Sequence, residues 1–177
     1  MSPDEPPILT HLDERGQARM VDVSTKDVTA RSATASGFVA TTPAVVAALR
    51  GDGMAKGDAL AVARIAGIQA AKRTPELVPL CHPIAIHGVR VDLEVTDDGV
   101  TILATVRTAD RTGVEMEALT CVAVAGLTLI DMVKAVDRSA TLTFVRVEQK
   151  TGGRSGTWRR TSPPTPSAAS PSRPPAL

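Results

Sequence analysis

The segment from Gly113 to Asp137 constrains this chain most, because its pattern predicts one long helix that is almost wholly apolar. At about 100° per residue, however, one sector of that helix roughly 100° wide collects polar groups. Carboxylates set among valine, alanine and leucine cost free energy unless they are paired or used. The helix is therefore predicted to line a site as well as a core. The sector holds Glu117, Thr120, Cys121, Val124, Thr128 and Asp131, with Lys134 on its edge.

Composition narrows the class of protein. The 177 residues suffice for one domain with its own core, and a net charge of +1 gives no bulk attraction to nucleic acid. Two phenylalanines and one tryptophan are too few for a platform that stacks single strands. The N-terminus has acids and prolines where a signal peptide has basic and apolar residues. We expect a cytoplasmic protein that binds neither nucleic acid nor a membrane.

Proline-rich ends flank the predicted domain. Residues 1–18 mix prolines with charges and show little periodicity, and the last residues are rich in proline and serine. We therefore expect a flexible N-terminal segment over 1–18, a single domain over 19–158 and a disordered tail over 159–177.

The order of the predicted elements is strand, helix, hairpin, helix, strand, which is a split βαβ arrangement. The expected fold class is α+β, a ferredoxin-like plait whose mostly antiparallel sheet has both helices on one face. The other face is expected to carry apolar residues such as Val39 and Phe144, and an uncovered apolar face favours oligomerisation. The predicted strands are Met20–Ser24, Thr29–Ala40, Ile86–Thr96, Val100–Thr108 and Ala140–Glu148.

Two further helix starts follow from capping chemistry. Thr41, Thr42 and Pro43 predict a hydroxyl cap with proline in the first turn. Asp58 is predicted to cap a second helix that ends near Lys72.

Acids and lysines supply the candidate chemistry. Glu115, Glu117, Asp131 and Lys134 could form an acid/base cluster, although a structural ion pair between Asp131 and Lys134 explains their spacing equally well. Of the 20 basic residues, only five are lysines, and lysine can be tuned for proton transfer where arginine cannot. The lysines are Lys26, Lys56, Lys72, Lys134 and Lys150.

The segment Leu80 to Pro83 and two glycine-rich loops complete the candidates. Cys81 could be a nucleophile but fits a buried small residue better, and His82 could be a general acid or orient a ligand. No cysteine or histidine spacing supports a metal site. The loops around Lys56 and Lys150 resemble phosphate cradles, which suggests a small polyanionic ligand.

Five ordered motifs identify a family resemblance. The chain resembles the molybdenum-cofactor biosynthesis protein C family, the cyclic pyranopterin monophosphate synthases, from about His11 to Arg159. The motifs are MVDVSTK, LVPLCHP, GVEMEAL, LIDMVKAVD and KTGGRSG.

This resemblance implies an activity and an assembly. Members convert 3′,8-cyclo-7,8-dihydro-GTP to cyclic pyranopterin monophosphate and release pyrophosphate, which makes them lyases of molybdenum-cofactor biosynthesis. They are homohexamers, trimers of dimers, with sites between subunits. The resemblance implies no resident cofactor or metal, with Mg²⁺ on the substrate triphosphate left open.

The resemblance also assigns roles to residues. Asp131, Lys134 and Lys56 match the catalytic residues. The residues that match substrate-binding positions are Leu80, Cys81, His82, Glu115, Met116, Glu117, Lys72, Lys150 and Arg31.

Two other functions remain open from the residues. One is a purine-nucleotide hydrolase on the same plait, which would release formate. The other is a nucleotide-binding regulatory plait module without catalysis, although simple binding does not require acids and lysines concentrated on one helix.

Overall fold

Four helices and five strands make up the computed structural model, which describes residues 10–51 and 58–161. Residues 1–9 of the expected flexible segment 1–18 and residues 162–177 of the expected tail 159–177 lie outside the described residues, as does Lys56. The helices are α1 (Pro43–Arg50), α2 (Ala59–Ala71), α3 (Thr74–Leu77) and α4 (Glu115–Val133). The strands are β1 (Thr29–Ala40), β2 (Gly88–Val95), β3 (Gly99–Asp110), β4 (Thr141–Thr151) and β5 (Trp158–Arg159).

The strands form one open antiparallel sheet in the order β2-β3-β1-β4-β5. Helices α2 and α4 pack against each other, and α4 also contacts β1, β3 and β4. The α+β plait prediction is therefore confirmed. Gly67 lets the two helices approach closely, because a Cβ there would lie 2.9 Å from the carbonyl oxygen of Cys121.

The core lies between the sheet and these two helices. Alternate residues of β1 enter it, among them Ala33, Ala35 and Val39, all fully buried. Val122 and Leu129 of α4 meet them from the helix side. By length and composition α4 could cross a membrane, but here it packs on the sheet.

The other face of the sheet is mostly polar over β1 to β3, with Phe38 and Leu103 as apolar residues on it, and the prediction that it carries Val39 is wrong. Val39 pairs with Val100 in the β1–β3 register and points into the core, and the neighbouring side chains of β1 take the opposite face. Thr34 hydrogen-bonds to Thr105 on that face. Phe144 is 60% exposed and has a positive φ of 54°, a strained conformation for an aromatic residue.

Two local predictions fail. Met20–Ser24 is not a strand, because it passes beside the cavities described below and does not join the sheet. Thr42 is the N-cap residue of α1, but its side chain makes no capping hydrogen bond. Instead Asp137 accepts from the backbone N–H of Thr42 and from the hydroxyl of Thr41. Asp58 does cap α2, accepting from the N–H of Ala61.

Candidate active site

A cavity of about 400 Å³ opens where the loop before β2 meets the N-terminus of α4, and we call it the acidic cavity. The segment before β1 closes its third side, with Val21 and Val23 in the lining. The structure thus brings together six of the residues predicted from sequence to bind substrate. These are Leu80, Cys81, His82, Glu115, Met116 and Glu117.

Backbone hydrogen bonds fix the loop that carries the histidine. The N–H of Cys81 donates to the carbonyl of Val78 at 3.0 Å, which makes a turn directly after α3. His82 Nε2 lies 2.7 Å from the carbonyl oxygen of Val21. Because a carbonyl oxygen only accepts, Nε2 carries the hydrogen and donates it. In the neutral imidazole, Nδ1 is then an acceptor available to a ligand.

Glu117 is the buried carboxyl of this cavity, at 3% exposure. Burial raises its pKa to about 7, the hydrogen bond from its own backbone N–H lowers the pKa, and the charge of Glu115 raises it. Burial and then the charge of Glu117 raise the pKa of the Cys81 thiol. Cys81 is therefore a poor thiolate nucleophile, whereas Glu117 can exchange a proton near neutral pH.

A second cavity of about 730 Å³ adjoins the first, and we call it the basic cavity. Lys26, Arg31, Arg111 and Arg154 line it, with Asp27 among them. Excess positive charge in a cleft attracts anions.

Two of these arginines are held in place by the backbone. Arg31 Nε donates to the carbonyl of Asp110 at 2.8 Å, and Arg111 Nε donates to the carbonyl of Lys26 at 3.0 Å. Each guanidinium keeps further N–H donors for a ligand. Thr29 also lines the basic cavity, and its hydroxyl oxygen is buried with no hydrogen-bond partner among the described residues.

Lys150 connects the two cavities electrostatically. Its Nζ lies 3.6 Å from Glu115 Oε1, in the lining of the acidic cavity. The same Nζ donates to the Ser155 hydroxyl at 2.7 Å, and Ser155 lines the basic cavity. Both partners place the ammonium of Lys150 near the two linings.

Asp131 lies near the C-terminal end of α4 and Lys134 is the C-cap residue of that helix, and neither lines either of the two cavities. Lys134 Nζ is 2.5 Å from Asp131 Oδ1, and the two side chains are 59% and 60% exposed. The interval from Glu117 to Asp131 corresponds to about 21 Å of helix at 1.5 Å per residue. A single chain therefore does not bring the predicted catalytic pair to Glu117. Lys72 is exposed just after α2 and lines neither cavity.

Metal ligation has no candidate in residues 10–51 and 58–161, where no group of three or more His, Cys, Asp or Glu side chains could hold an ion. Glu115 and Glu117 alone do not make such a group.

The amino-acid sequence is similar to those of known proteins. The MoaC family model matches residues 20–153. The chain belongs to the MoaC family. A protein of Streptomyces avermitilis named cyclic pyranopterin monophosphate synthase is 70% identical over 152 residues, covering 86% of this chain and 89% of its own.

Two further relatives have the same activity in their names. Cyclic pyranopterin monophosphate synthase of a Nocardioides species is 68% identical over 160 residues, which cover 89% of this chain and 98% of that protein. Cyclic pyranopterin monophosphate synthase 2 of Mycobacterium tuberculosis is 57% identical over 152 residues, with 86% and 91% covered.

No catalytic or substrate-binding role was predicted from sequence for three cations of the basic cavity: Lys26, Arg111 and Arg154. The scarcity of lysine singles out Lys26, and Arg154 lies in a glycine-rich loop that the sequence does indicate. Arg111 carries no such signal, because it lies just beyond the end of β3 among ordinary polar residues. Only the tertiary structure places it beside Lys26.

Proposed function

We propose that this chain is a cyclic pyranopterin monophosphate synthase, which converts 3′,8-cyclo-7,8-dihydro-GTP to cyclic pyranopterin monophosphate and pyrophosphate in molybdenum-cofactor biosynthesis. The relatives named above carry that activity in their names. The observation that carries the proposal is the pair of adjoining cavities, one with carboxyls and a histidine, the other with four cations. A substrate with a purine-derived ring and a triphosphate has the matching two parts.

The ring would lie in the acidic cavity. A protonated Glu117 both donates and accepts, and His82 offers Nδ1, so the pair suits the mixed donors and acceptors of a guanine-derived edge. Ring opening and closure also need proton transfer at nitrogen, for which a carboxyl with a pKa of about 7 is suited.

The triphosphate would lie in the basic cavity. The negative charge of the triphosphate would balance the positive charge of the four cations that line this cavity. The Thr29 hydroxyl, which has no hydrogen-bond partner among the described residues, could form a further hydrogen bond with it. Cations held there before the reaction stabilise the charge that develops on departing pyrophosphate. Any Mg²⁺ in the reaction would be carried by the triphosphate oxygens, and assays with and without a chelator test this point.

Asp131, Lys134 and Lys56 are the proposed catalytic residues, with Lys134 and Lys56 as acid/base groups and Asp131 tuning Lys134, and we propose that a second copy of the chain supplies Asp131 and Lys134. The separation of about 21 Å along α4 supports this, because one chain presents the Asp131 pair far from its own Glu117. A homohexamer built as a trimer of dimers, acting in the cytoplasm, is the proposed assembly.

Turnover of 3′,8-cyclo-7,8-dihydro-GTP tests the function. The purified chain should release pyrophosphate and yield a pterin that becomes fluorescent on oxidation. Asp131→Asn should abolish both products. The matched control is Asp97→Asn, which removes another exposed, ion-paired carboxylate and should retain activity. Binding without either product would instead support a regulatory nucleotide-binding module, and release of formate a ring-opening hydrolase.

Mixing two inactive variants tests the shared site. Chains with Asp131→Asn and chains with Glu117→Gln are each expected to be inactive alone. If sites combine residues of two copies, exchange of subunits creates some intact sites. Recovery of pyrophosphate release after mixing and reassembly supports the proposal, and no recovery despite demonstrated exchange refutes it.

A further inference from the structure

The junction between the two cavities is formed by very few residues. In the part of the chain that the structure describes, Lys26, Thr112 and Gly113 are the residues that line both the acidic and the basic cavity. Lys26 alone of the three carries a charge. A ligand that spans both cavities must pass this ammonium.

The backbone of Lys26 is anchored while its side chain is available. Its N–H donates to the carbonyl of Val23 at 3.1 Å, and its carbonyl accepts from Arg111 Nε at 3.0 Å. Within residues 10–51 and 58–161, Nζ has no hydrogen bond or ion pair. Asp27 is the neighbouring carboxylate in the basic cavity, and the other charged groups there are arginines. The backbone of Lys26 is thus fixed, and its ammonium can donate hydrogen bonds to a ligand oxygen at the junction.

The chemistry at the junction follows from the proposed substrate, and this inference rests on the proposed function. The ring and the triphosphate are joined through the ribose and the α-phosphate, so the α-phosphorus lies where the two cavities meet. In the cyclisation, a ribose hydroxyl oxygen bonds to the α-phosphorus. The bond from that phosphorus to the oxygen bridging the α- and β-phosphates breaks. Its electron pair leaves with pyrophosphate, and the hydroxyl proton passes to solvent.

We propose that Lys26 is a catalytic residue that contacts the bridging oxygen and stabilises the negative charge that develops there as pyrophosphate leaves. The charge on that oxygen is greater in the transition state than in the bound substrate. Lys26 therefore acts on kcat more than on KM.

Three variants test this assignment with pyrophosphate release as the readout. Lys26→Gln removes the charge, and Lys26→Arg keeps it. Arg90→Gln removes one cation from the polar face of the sheet, where Arg90 pairs with Asp92 and lines neither the acidic nor the basic cavity. Thermal unfolding of each variant checks that the exposed loop position of Lys26 tolerates the change.

Lys26→Gln is expected to lower kcat by about 100- to 1,000-fold, the loss found when one preorganised charge-stabilising donor is removed. KM should change by less than about tenfold. The kcat of Lys26→Arg should be at least about tenfold higher than that of Lys26→Gln. The kcat of Arg90→Gln should equal that of wild type. A Lys26→Gln enzyme with unchanged kcat and only a raised KM overturns the assignment, as do equal rates for the Gln and Arg variants. A wild-type chain that releases no pyrophosphate refutes the proposed function itself.

Discussion

Replacing Glu117 with glutamine is expected to change how the stability of the chain depends on pH. The carboxyl is 3% exposed, and its pKa is raised from 4.5 to about 7 in the folded chain. An acid whose pKa is higher in the folded state binds its proton more tightly there. Its stabilising contribution is therefore complete below pH 4.5 and is lost as pH rises through 7.

The size of the effect follows from the two pKa values. Each pH unit between 4.5 and 7 corresponds to about 1.36 kcal/mol of unfolding free energy. Relative to the variant, wild type should lose about 2 to 3 kcal/mol between pH 4.5 and 8.5. Glutamine has nearly the same shape as glutamic acid and no proton to lose. The pH dependence of the difference in unfolding free energy between wild type and variant therefore reports on the Glu117 carboxyl alone.

Urea unfolding at pH 4.5, 7 and 8.5 measures this difference, at one protein concentration because assembly contributes to stability. Glu94→Gln is the control, since Glu94 is an exposed carboxyl on β2 away from both cavities. The control should follow wild type at every pH. If the unfolding free energies of wild type and Glu117→Gln changed in parallel with pH, the reasoning would be refuted. Ionisation of the buried carboxyl would then not destabilise the folded chain.

Three other perturbations have defined outcomes. Asp131→Asn should change the urea unfolding free energy by less than about 1 kcal/mol while abolishing turnover, because its ion pair with Lys134 is exposed. Gly67→Ala should destabilise by about 1 to 3 kcal/mol in the same assay, since the added Cβ would meet the Cys121 carbonyl of the packed helix. Hydrogen bonds from Ser139 and Thr41 lower the pKa of Asp137 to about 2 from its ordinary 3.8. Its contribution is present above pH 3.8 and lost as pH falls through 2, so acid unfolding of Asp137→Asn should show a weaker pH dependence than wild type.

Local patterns predicted the elements best where one physical cause dominates. Thr29–Ala40 is rich in threonine and serine and is followed by a helix that begins with proline, and β1 has those bounds. Asp58 caps α2 because the cap depends only on neighbouring backbone N–H groups. The plait followed from the order of such elements.

Other predictions failed because contacts between residues distant in sequence determine the outcome. The side chain of Thr42 does not cap α1, and Asp137, 95 residues further along the chain, accepts from the backbone N–H of Thr42 instead. The face of Val39 depends on the β1–β3 register, and a shift of one residue exchanges the two faces of a strand. Met20–Ser24 has strand composition without a partner strand.

The lining of the acidic cavity was predictable where its residues are contiguous in sequence. The segments that contain His82 and Glu117 line one cavity, and their roles in binding substrate stay predictions. An angular projection of α4 gives the direction of each side chain around the axis and leaves out the rise of about 1.5 Å per residue, so it grouped Glu117 with Asp131 although about 21 Å of helix separates them. Lys26 and Arg111 meet only through the fold.

Helix α4 also fixes a length. It holds the Glu117 end and the Asp131 end about 21 Å apart, and the rotation between them is set by the number of residues. Inserting one residue in the middle of α4 would turn Asp131 and Lys134 by about 100° relative to Glu117, even if every core contact could be replaced. If both ends serve sites, this helix tolerates substitution far better than insertion or deletion, and its residue count is under a constraint that packing alone does not impose.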